Sequence, residues 1–226
     1  MAITVETRTE IIQLVVGMVD AAPGATILSE LANIADAGLS VKDMAIAIAA
    51  NPAFNALYPS FLTTEELATN FIGKLLGSEV TDTVKASSVA AMVADLNAGT
   101  NRGEAMYKAI TALAATAETD TDLGNAAAAL NNKTEVAIHY SVTTQQSADT
   151  LDELVAVVTN VTSAQATVDT AKGTIDGTNN QGGTFTFTSA INNLNGTGGN
   201  DTFLRDATTL RASDRAVRRP GTYEFT

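Results

Sequence analysis

The clearest helix in the sequence begins with Thr63-Thr64-Glu65-Glu66 and ends at Gly77. Thr63 and Glu66 have the spacing of a capping box, in which the threonine hydroxyl accepts from the glutamate amide and the glutamate carboxylate accepts from the threonine amide. The apolar residues that follow recur every three or four positions, so they share one helix face. They are Leu67, Phe71, Ile72, Leu75 and Leu76. This stretch predicts an amphipathic helix packed on a core.

Similar helix signals recur on both sides of this stretch. Ser40 and Thr81 stand at expected N-caps, and Gly38 and Gly99 stand where helices are expected to end. Short loops between helices favour antiparallel neighbours. The sequence therefore predicts a mainly α fold, a bundle of about seven or eight helices. Their predicted ranges are 6–20, 25–37, 40–50, 63–77, 81–99, 101–113, 119–145 and 147–158.

Three parts of this region are less regular. Residues 53–62 predict an irregular turn, because Pro59 interrupts the segment. Its apolar side chains are predicted to plug the core: Phe54, Leu57, Tyr58 and Phe61. The helix over 119–145 is open to a break near Asn131-Asn132. Residues 162–174 predict either a turn or a poorly packed helix, because threonine is an indifferent helix former.

The composition changes after Asp176. Residues 177–183 contain no apolar side chain and many turn formers, which indicates a linker. Thr184-Phe185-Thr186-Phe187-Thr188 then alternates polar and apolar residues with a period of two, which is typical of a strand. We therefore predict a helical head domain over 1–176, followed over 177–203 by a linker, a strand and a single repeat.

The repeat is the glycine-rich stretch Leu194-Asn195-Gly196-Thr197-Gly198-Gly199-Asn200-Asp201-Thr202-Phe203. It has the spacing of one turn of a calcium-binding parallel β-roll. In such a turn glycines allow tight bends, a carboxylate holds Ca²⁺, and an apolar residue two positions later points inward. The candidate metal ligands are Asp201, Gly199, Thr197 and Gly196. The alternative is an ordinary Gly-Asn-Asp turn without a metal.

The last segment, residues 204–226, is rich in arginine. It contains five of the 13 basic residues of the chain: Arg205, Arg211, Arg215, Arg218 and Arg219. Such a concentration of charge indicates either a segment that binds an anionic partner or a truncated or foreign sequence, and both interpretations remain open.

Charge and composition exclude several classes of protein. A net charge of -12 argues against a nucleic-acid partner, because the phosphate backbone is bound mainly by clustered lysine and arginine. The chain has no cysteine, which excludes disulfides and thiolate metal sites. Its first residues lack the basic and apolar segments of a Sec signal peptide. No apolar run approaches the roughly 18 residues of a membrane span, so no transmembrane segment is expected.

Few residues could support catalysis. His139 is the only histidine, and its position beside Tyr140 in an apolar helical context predicts a packing or surface role. Acidic residues cluster at two predicted helix starts: Glu65, Glu66, Asp149, Asp152 and Glu153. Negative charge is favourable in a first helical turn, so these carboxylates are predicted to be structural. The chain is not expected to be an enzyme.

Several of these stretches resemble a known family. Residues 1–160 are similar to a helical domain of unknown function that begins many bacterial surface-layer and giant adhesin-like proteins. The matching stretches are Gly38-Leu39-Ser40, Asn51-Pro52-Ala53-Phe54, Ile72-Gly73-Lys74-Leu75-Leu76-Gly77 and Leu130-Asn131-Asn132-Lys133-Thr134-Glu135-Val136-Ala137-Ile138-His139-Tyr140. The join from Thr184–Thr188 to Gly196–Phe203 resembles the start of the RTX-type repeat region in those proteins.

The resemblance implies a structural protein secreted to the bacterial cell surface. Proteins of this family leave the cell by type I secretion without an N-terminal signal, bind Ca²⁺ through their repeats and coat the cell. The head is then expected to act in cell-surface anchoring or in self-assembly, with its own copies or a cell-surface polysaccharide as partner and a homo-oligomer as its state. Tyr58, Tyr107 and Tyr140 are the candidates for stacking on a sugar. The alternative function is a filament-forming or adhesin-type module that adds the 184–188 strand to a neighbour's sheet.

Overall fold

The computed structural model describes residues 3–52, 54–179, 184–195, 201–204, 215–217 and 223–225. The chain divides into two compact units, Met1–Lys172 and Gly173–Thr226. The first unit is helical, and the second contains short strands. The predicted mainly α fold with a short C-terminal β segment is therefore confirmed.

Nine α-helices occur in the described part of the chain. They are α1 (Val5–Val19), α2 (Gly24–Asp36), α3 (Val41–Ala50), α4 (Thr64–Leu76), α5 (Asp82–Asn97), α6 (Arg102–Ala114), α7 (Gly124–Ile138), α8 (Leu151–Ala156) and α9 (Gln165–Asn179). A 3₁₀ turn at Phe54–Ala56 follows α3, and a π-helical turn at His139–Thr143 continues α7.

Side-chain caps fix the starts of most of these helices. Thr63 and Glu66 form the predicted capping box, because Thr63 N donates to Glu66 Oε2 at 2.9 Å and Glu66 N donates to Thr63 Oγ1 at 3.3 Å. Ser40 and Thr81 also cap their helices as predicted, and Asn101 caps α6. These caps satisfy amides that have no partner within the helix, so local sequence favours these helix starts.

Helix α1 is the central element of the helical unit. Its buried residues surround most of its circumference, as the dense apolar pattern predicted: Ile11, Ile12, Leu14, Val15, Val16 and Met18. It packs mainly against α7 and α6 and also contacts α2, α3 and α4. Its first turns carry exposed residues such as Glu6 and Glu10, but from Ile11 to Val19 no residue is exposed. The other helices of the bundle therefore cover this second half of α1 on all sides.

Two helix pairs of the helical unit have the most extensive contacts with each other. Helix α3 packs against α6, and α4 packs against α5. At the first crossing, Gly103 of α6 lies directly against the backbone of Ala45 and Ile46 in α3. A glycine is needed there because any side chain would occupy the position of the neighbouring backbone.

The structure corrects four details of the predicted helices. The helix predicted over 119–145 begins at Gly124 and is unbroken at Asn131-Asn132. The helix predicted from Ser147 begins only at Leu151, because Thr150 forms a capping box with Glu153. Helix α9 continues through Gly177 and into the predicted linker. Phe61, predicted to plug the core, is 84 % exposed, whereas Phe54 and Tyr58 are buried as predicted.

The second unit contains five short strands in its described residues. They are β1 (Thr184–Thr186), β2 (Asn193–Asn195), β3 (Asp201–Leu204), β4 (Arg215–Val217) and β5 (Tyr223–Phe225). One sheet has the order β1-β3-β5 and the other contains β2 and β4, with all pairings parallel.

No single helix in the described residues is long and apolar enough to cross a membrane. Helices α1 and α2 reach the required length and hydropathy only when taken together, and the chain bends by 117° between them. The α1 part of that pair forms the buried centre of the helical unit.

Candidate functional site

The two parallel sheets of the second unit are built from alternate strands. Consecutive strands of the chain belong to different sheets, and each strand pairs with the next but one. Parallel strands cannot be joined by a tight hairpin, so the chain must travel to the second sheet and back before it pairs again. One such passage is one coil of a parallel β-solenoid.

The strand register gives the extent of each coil. Thr184 pairs with Thr202, so the first coil runs from β1 to the start of β3. This passage has the length of two consecutive nonapeptide repeats, the unit of RTX-type β-helices. Asn193 pairs with Arg215 and Asp201 with Tyr223, so the following coil is slightly longer than the first.

Strands β4 and β5 were not predicted from the sequence. They lie in the arginine-rich segment 204–226, for which the sequence allows either an anionic-partner segment or a foreign one. Both strands pair with strands of the preceding segment, so the described residues of the tail belong to the same sheets. The sequence signal that could have predicted β5 is the alternation of aromatic and polar residues in Tyr223-Glu224-Phe225, which is similar to the alternation in Thr184–Thr188.

Phenylalanine side chains form the core of the first coil. The rings of Phe185 and Phe203 stack with centroids 5.1 Å apart, and the Phe187 ring lies 6.4 Å from Phe203. Phe203 is 0 % exposed, so the apolar residue two positions after Asp201 is buried as predicted. The Phe187 amide also donates to Leu204 O at 2.9 Å, which extends the pairing between β1 and β3.

Of the four predicted metal ligands, the structure describes one. Asp201 is the first residue of β3, and its backbone partner in the next coil is Tyr223. Gly196, Thr197 and Gly199 lie outside the described residues. Within the described residues, no group of three or more His, Cys, Asp or Glu side chains could hold a metal ion.

The described residues show one neighbour of Asp201 in the following coil. A β-roll site takes ligands from successive coils, and Ca²⁺ requires several carboxylate and carbonyl oxygens. The register places Tyr223 opposite Asp201. Tyrosine has no carboxylate, so the described pairing supplies no second one.

No protein-family model, curated protein or solved structure matches this chain.

The acidic residues at helix starts have structural partners. Glu66 and Glu153 each accept hydrogen bonds from the amide and the hydroxyl of their capping threonines, Thr63 and Thr150. The Thr63 amide, followed by its hydroxyl, lowers the pKa of Glu66, and the Thr150 hydroxyl, followed by its amide, lowers the pKa of Glu153. Both carboxylates are thus used in capping, which agrees with the structural role predicted for them.

His139 lies at the start of the π-helical turn and is half-buried. Its carbonyl oxygen accepts from Thr144 N at 2.9 Å and from Thr144 Oγ1 at 3.2 Å. Neighbouring Tyr140 is buried, and burial followed by the charge of Glu153 raises the pKa of its hydroxyl. The absence of catalytic activity stays a prediction.

The tyrosines proposed for sugar stacking are mostly inaccessible. Tyr58 is 2 % exposed, with its ring 5.1 Å from Phe54 and 6.0 Å from Phe71. Tyr140 is also buried, and Tyr107 is half-buried. A ring must present an open face to stack on a sugar. The expectation was therefore wrong for Tyr58 and Tyr140, whose side chains belong to the core.

Alkaline titration should single out Tyr58. Burial, with a smaller contribution from the Asp20 charge, raises the pKa of its hydroxyl to about 12 from 10.0. Because the unfolded chain releases this proton first, the stability present below pH 10.0 is expected to fall as the pH rises towards 12. Ultraviolet absorbance of the native protein should show a late tyrosinate phase that is missing in Tyr58→Phe. Completion of all tyrosine ionisation near pH 11, with helical circular dichroism intact, would contradict this expectation.

Proposed function

We propose that this chain is a structural region of a secreted, surface-layer-like protein. The helical unit acts in cell-surface anchoring or self-assembly, and the coil unit begins a repeat region. Type I secretion and a place on the bacterial cell surface belong to the same proposal, and both come from the family resemblance. The observation that carries the proposal is the parallel coil. The first coil, from Thr184 to Thr202, has the length of two nonapeptide repeats, which agrees with the RTX-like spacing of Leu194–Phe203.

Helix α2 offers a contact surface for self-assembly. Ile27 and Ile34 are 40 % and 43 % exposed, and only Gly24 and Leu28 of this helix are buried. Residues seven positions apart lie on the same helix face, so the two isoleucines form one apolar stripe. Leu39, which follows the helix, is 40 % exposed as well. A grouped apolar surface of this kind favours contact with another copy over contact with a polar sugar.

Sedimentation velocity and negative-stain electron microscopy test self-assembly. We expect the wild-type chain to form oligomers whose size rises with protein concentration. The double variant Ile27→Gln/Ile34→Gln should remain monomeric at the same concentrations, because it removes the apolar stripe and keeps good helix formers. Leu151→Gln is the matched control, since Leu151 of α8 is similarly exposed at 43 % and lies outside the stripe. A wild-type chain that is monomeric throughout, or a double variant that assembles normally, would overturn this part of the proposal.

The alternative function, strand addition, is favoured by the sheet edges. In the order β1-β3-β5 the two outer strands each pair on one side within the described residues. An open edge can accept a strand from another chain. Thr186→Pro removes one amide donor from β1. Loss of assembly in this variant, together with normal assembly of Ile27→Gln/Ile34→Gln, would indicate strand addition.

Calcium binding stays a prediction of the resemblance. The assembly experiments therefore include samples with millimolar Ca²⁺ and samples with a chelator. A saturable calcium effect that Asp201→Asn abolishes would support the predicted ligand. Equal assembly in both samples would mean that assembly does not depend on calcium.

A further inference from the structure

An open groove of about 730 Å³ runs between α4 and α5. Six of its lining residues are glycine, alanine or valine, and most of these belong to α5: Gly73, Ala86, Val89, Ala90, Val93 and Ala94. Ala86, Ala90 and Ala94 are exposed, and Met92 is the single buried residue of this 16-residue helix. Helix α5 therefore presents an apolar face that no described element covers.

The groove carries one charge at each end. Glu65 lies in the first turn of α4, and Lys85 lies near the start of α5. Consecutive helices that pack together through a short connection run antiparallel, so the two starts lie at opposite ends of the groove. Neither side chain has an ion-pair partner among the described residues. The groove is therefore apolar in the middle, negative at one end and positive at the other.

These charges make the groove complementary to a second copy of itself. A twofold axis lays the same groove of another chain antiparallel over the first, so Glu65 of each copy faces Lys85 of the other. The apolar middles then cover each other, and small side chains let the helices approach closely. The net charge of -12 opposes contact between acidic surfaces of two chains. The groove contributes one charge of each sign, so this face adds no net repulsion.

The α2 stripe alone joins two chains and no more. When both copies contribute the same stripe, the contact has twofold symmetry and closes at a dimer. The oligomer grows beyond a dimer only through a second contact surface. The groove is a self-complementary surface of the same helical unit, and it is built from different helices.

A single groove is too small to hold two chains together. From Lys85 to Asn97 the groove is about 18 Å long, and two helices side by side are about 20 Å wide, so the face covers roughly 360 Å². Stable complexes bury about 800 Å² on each partner. Two dimers formed through α2 carry two grooves each, and two groove contacts made together bind more tightly than one. The groove contact therefore requires the α2 contact.

We propose that the α4–α5 groove pairs antiparallel with the same groove of a second copy and joins two α2 dimers into a tetramer. Glu65 and Lys85 form ion pairs across this contact, and Val89 and Val93 pack near its centre. The inference rests on the α2 contact of the proposed function and adds a second, charge-matched surface to it.

Sedimentation velocity over a range of protein concentrations tests the groove through its charges. We expect dimers and then tetramers of the wild type. Glu65→Lys and Lys85→Glu should each weaken the association of dimers about tenfold or more, because each variant places like charges at both ends of the contact. The double variant Glu65→Lys/Lys85→Glu restores opposite charges and should recover the tetramer.

Glu6→Lys is the matched control and should form tetramers as the wild type does. Glu6 is also an exposed acid in the first turn of a helix, and it lies outside the groove. Far-ultraviolet circular dichroism of each variant checks that the helices are retained. Ile27→Gln/Ile34→Gln keeps the groove and should stay monomeric, because one groove contact is too weak by itself.

The two contacts fail in different ways. A wild type that is monomeric throughout would overturn the α2 contact and the groove contact together. The groove contact alone is overturned by a wild type that stops at dimers, which would leave the groove for a different partner. Tetramers that persist unchanged in either single charge variant, or a double charge variant that does not recover the tetramer, would also overturn it.

Discussion

Gly103→Ala is expected to destabilise the helical unit by about 3 kcal/mol, a large part of a typical folding free energy. A Cβ at this position would lie 2.6 Å from Ile46 Cα and closer still to the carbonyl oxygen of Ala45. Both atoms belong to the backbone of α3, so no side-chain rotation can relieve the contact. The two helices must move apart instead, which opens space along a tightly packed crossing.

Gly73→Ala provides the matched control. Gly73 lies inside α4, and a Cβ there would meet no atom within 4 Å. Alanine is the better helix former, so this variant should raise the free energy of unfolding by about 0.5–1 kcal/mol. Urea unfolding followed by far-ultraviolet circular dichroism measures both changes. Similar effects of the two substitutions would show that helix propensity, rather than the crossing of α3 and α6, governs the role of Gly103.

The same pair of glycines shows what the sequence could predict. Local signals placed the starts of α3, α4, α5 and α6, because each cap is a hydrogen bond between residues two or three positions apart. The role of Gly103 depends instead on Ala45 and Ile46, which are distant in the chain. No local pattern distinguishes that glycine from Gly73. The helices were therefore predictable, and their crossings were not.

The errors have the same origin. Ser147 and Thr150 are both plausible caps, and only Thr150 is followed three positions later by a glutamate, Glu153, which completes a capping box. Phe61 follows the pattern of its buried neighbours, but the 3₁₀ turn ends before it, and its ring remains outside. In both cases the sequence indicated the right kind of feature, a helix cap or a buried aromatic side chain, but the wrong residue.

The candidate coil was predictable only in part. The alternation of Thr184–Thr188 predicted β1, and the glycine-rich stretch predicted an inward Phe203. The residue opposite Asp201 depends on how β3 pairs with β5. The sequence contains only one recognisable repeat, so it does not predict which residue of the next coil pairs with Asp201. The identity of Tyr223 as that neighbour therefore had to come from the structure.

Phe203→Ala is expected to unfold the coils. The substitution removes the ring on which Phe185 stacks and which lies 6.4 Å from Phe187, so it takes away most of the described aromatic core of this unit. Truncation of a buried phenylalanine costs about 3–5 kcal/mol, which is comparable to the whole stability of a small unit. Amide hydrogen exchange should show lost protection in β1 and β3, with α1 as the internal reference.

Ile191→Ala serves as the control, because Ile191 is 72 % exposed and its truncation leaves the aromatic core intact. Retained protection of β1 and β3 in Phe203→Ala would show that the coils do not depend on the stacked rings. The same variant also separates the two routes to assembly. Contact through Ile27 and Ile34 of α2 should survive unfolding of the coils, whereas strand addition at β1 or β5 requires the sheet to be formed. Assembly that disappears in Phe203→Ala and persists in Ile27→Gln/Ile34→Gln would therefore assign the contact to the coil edges.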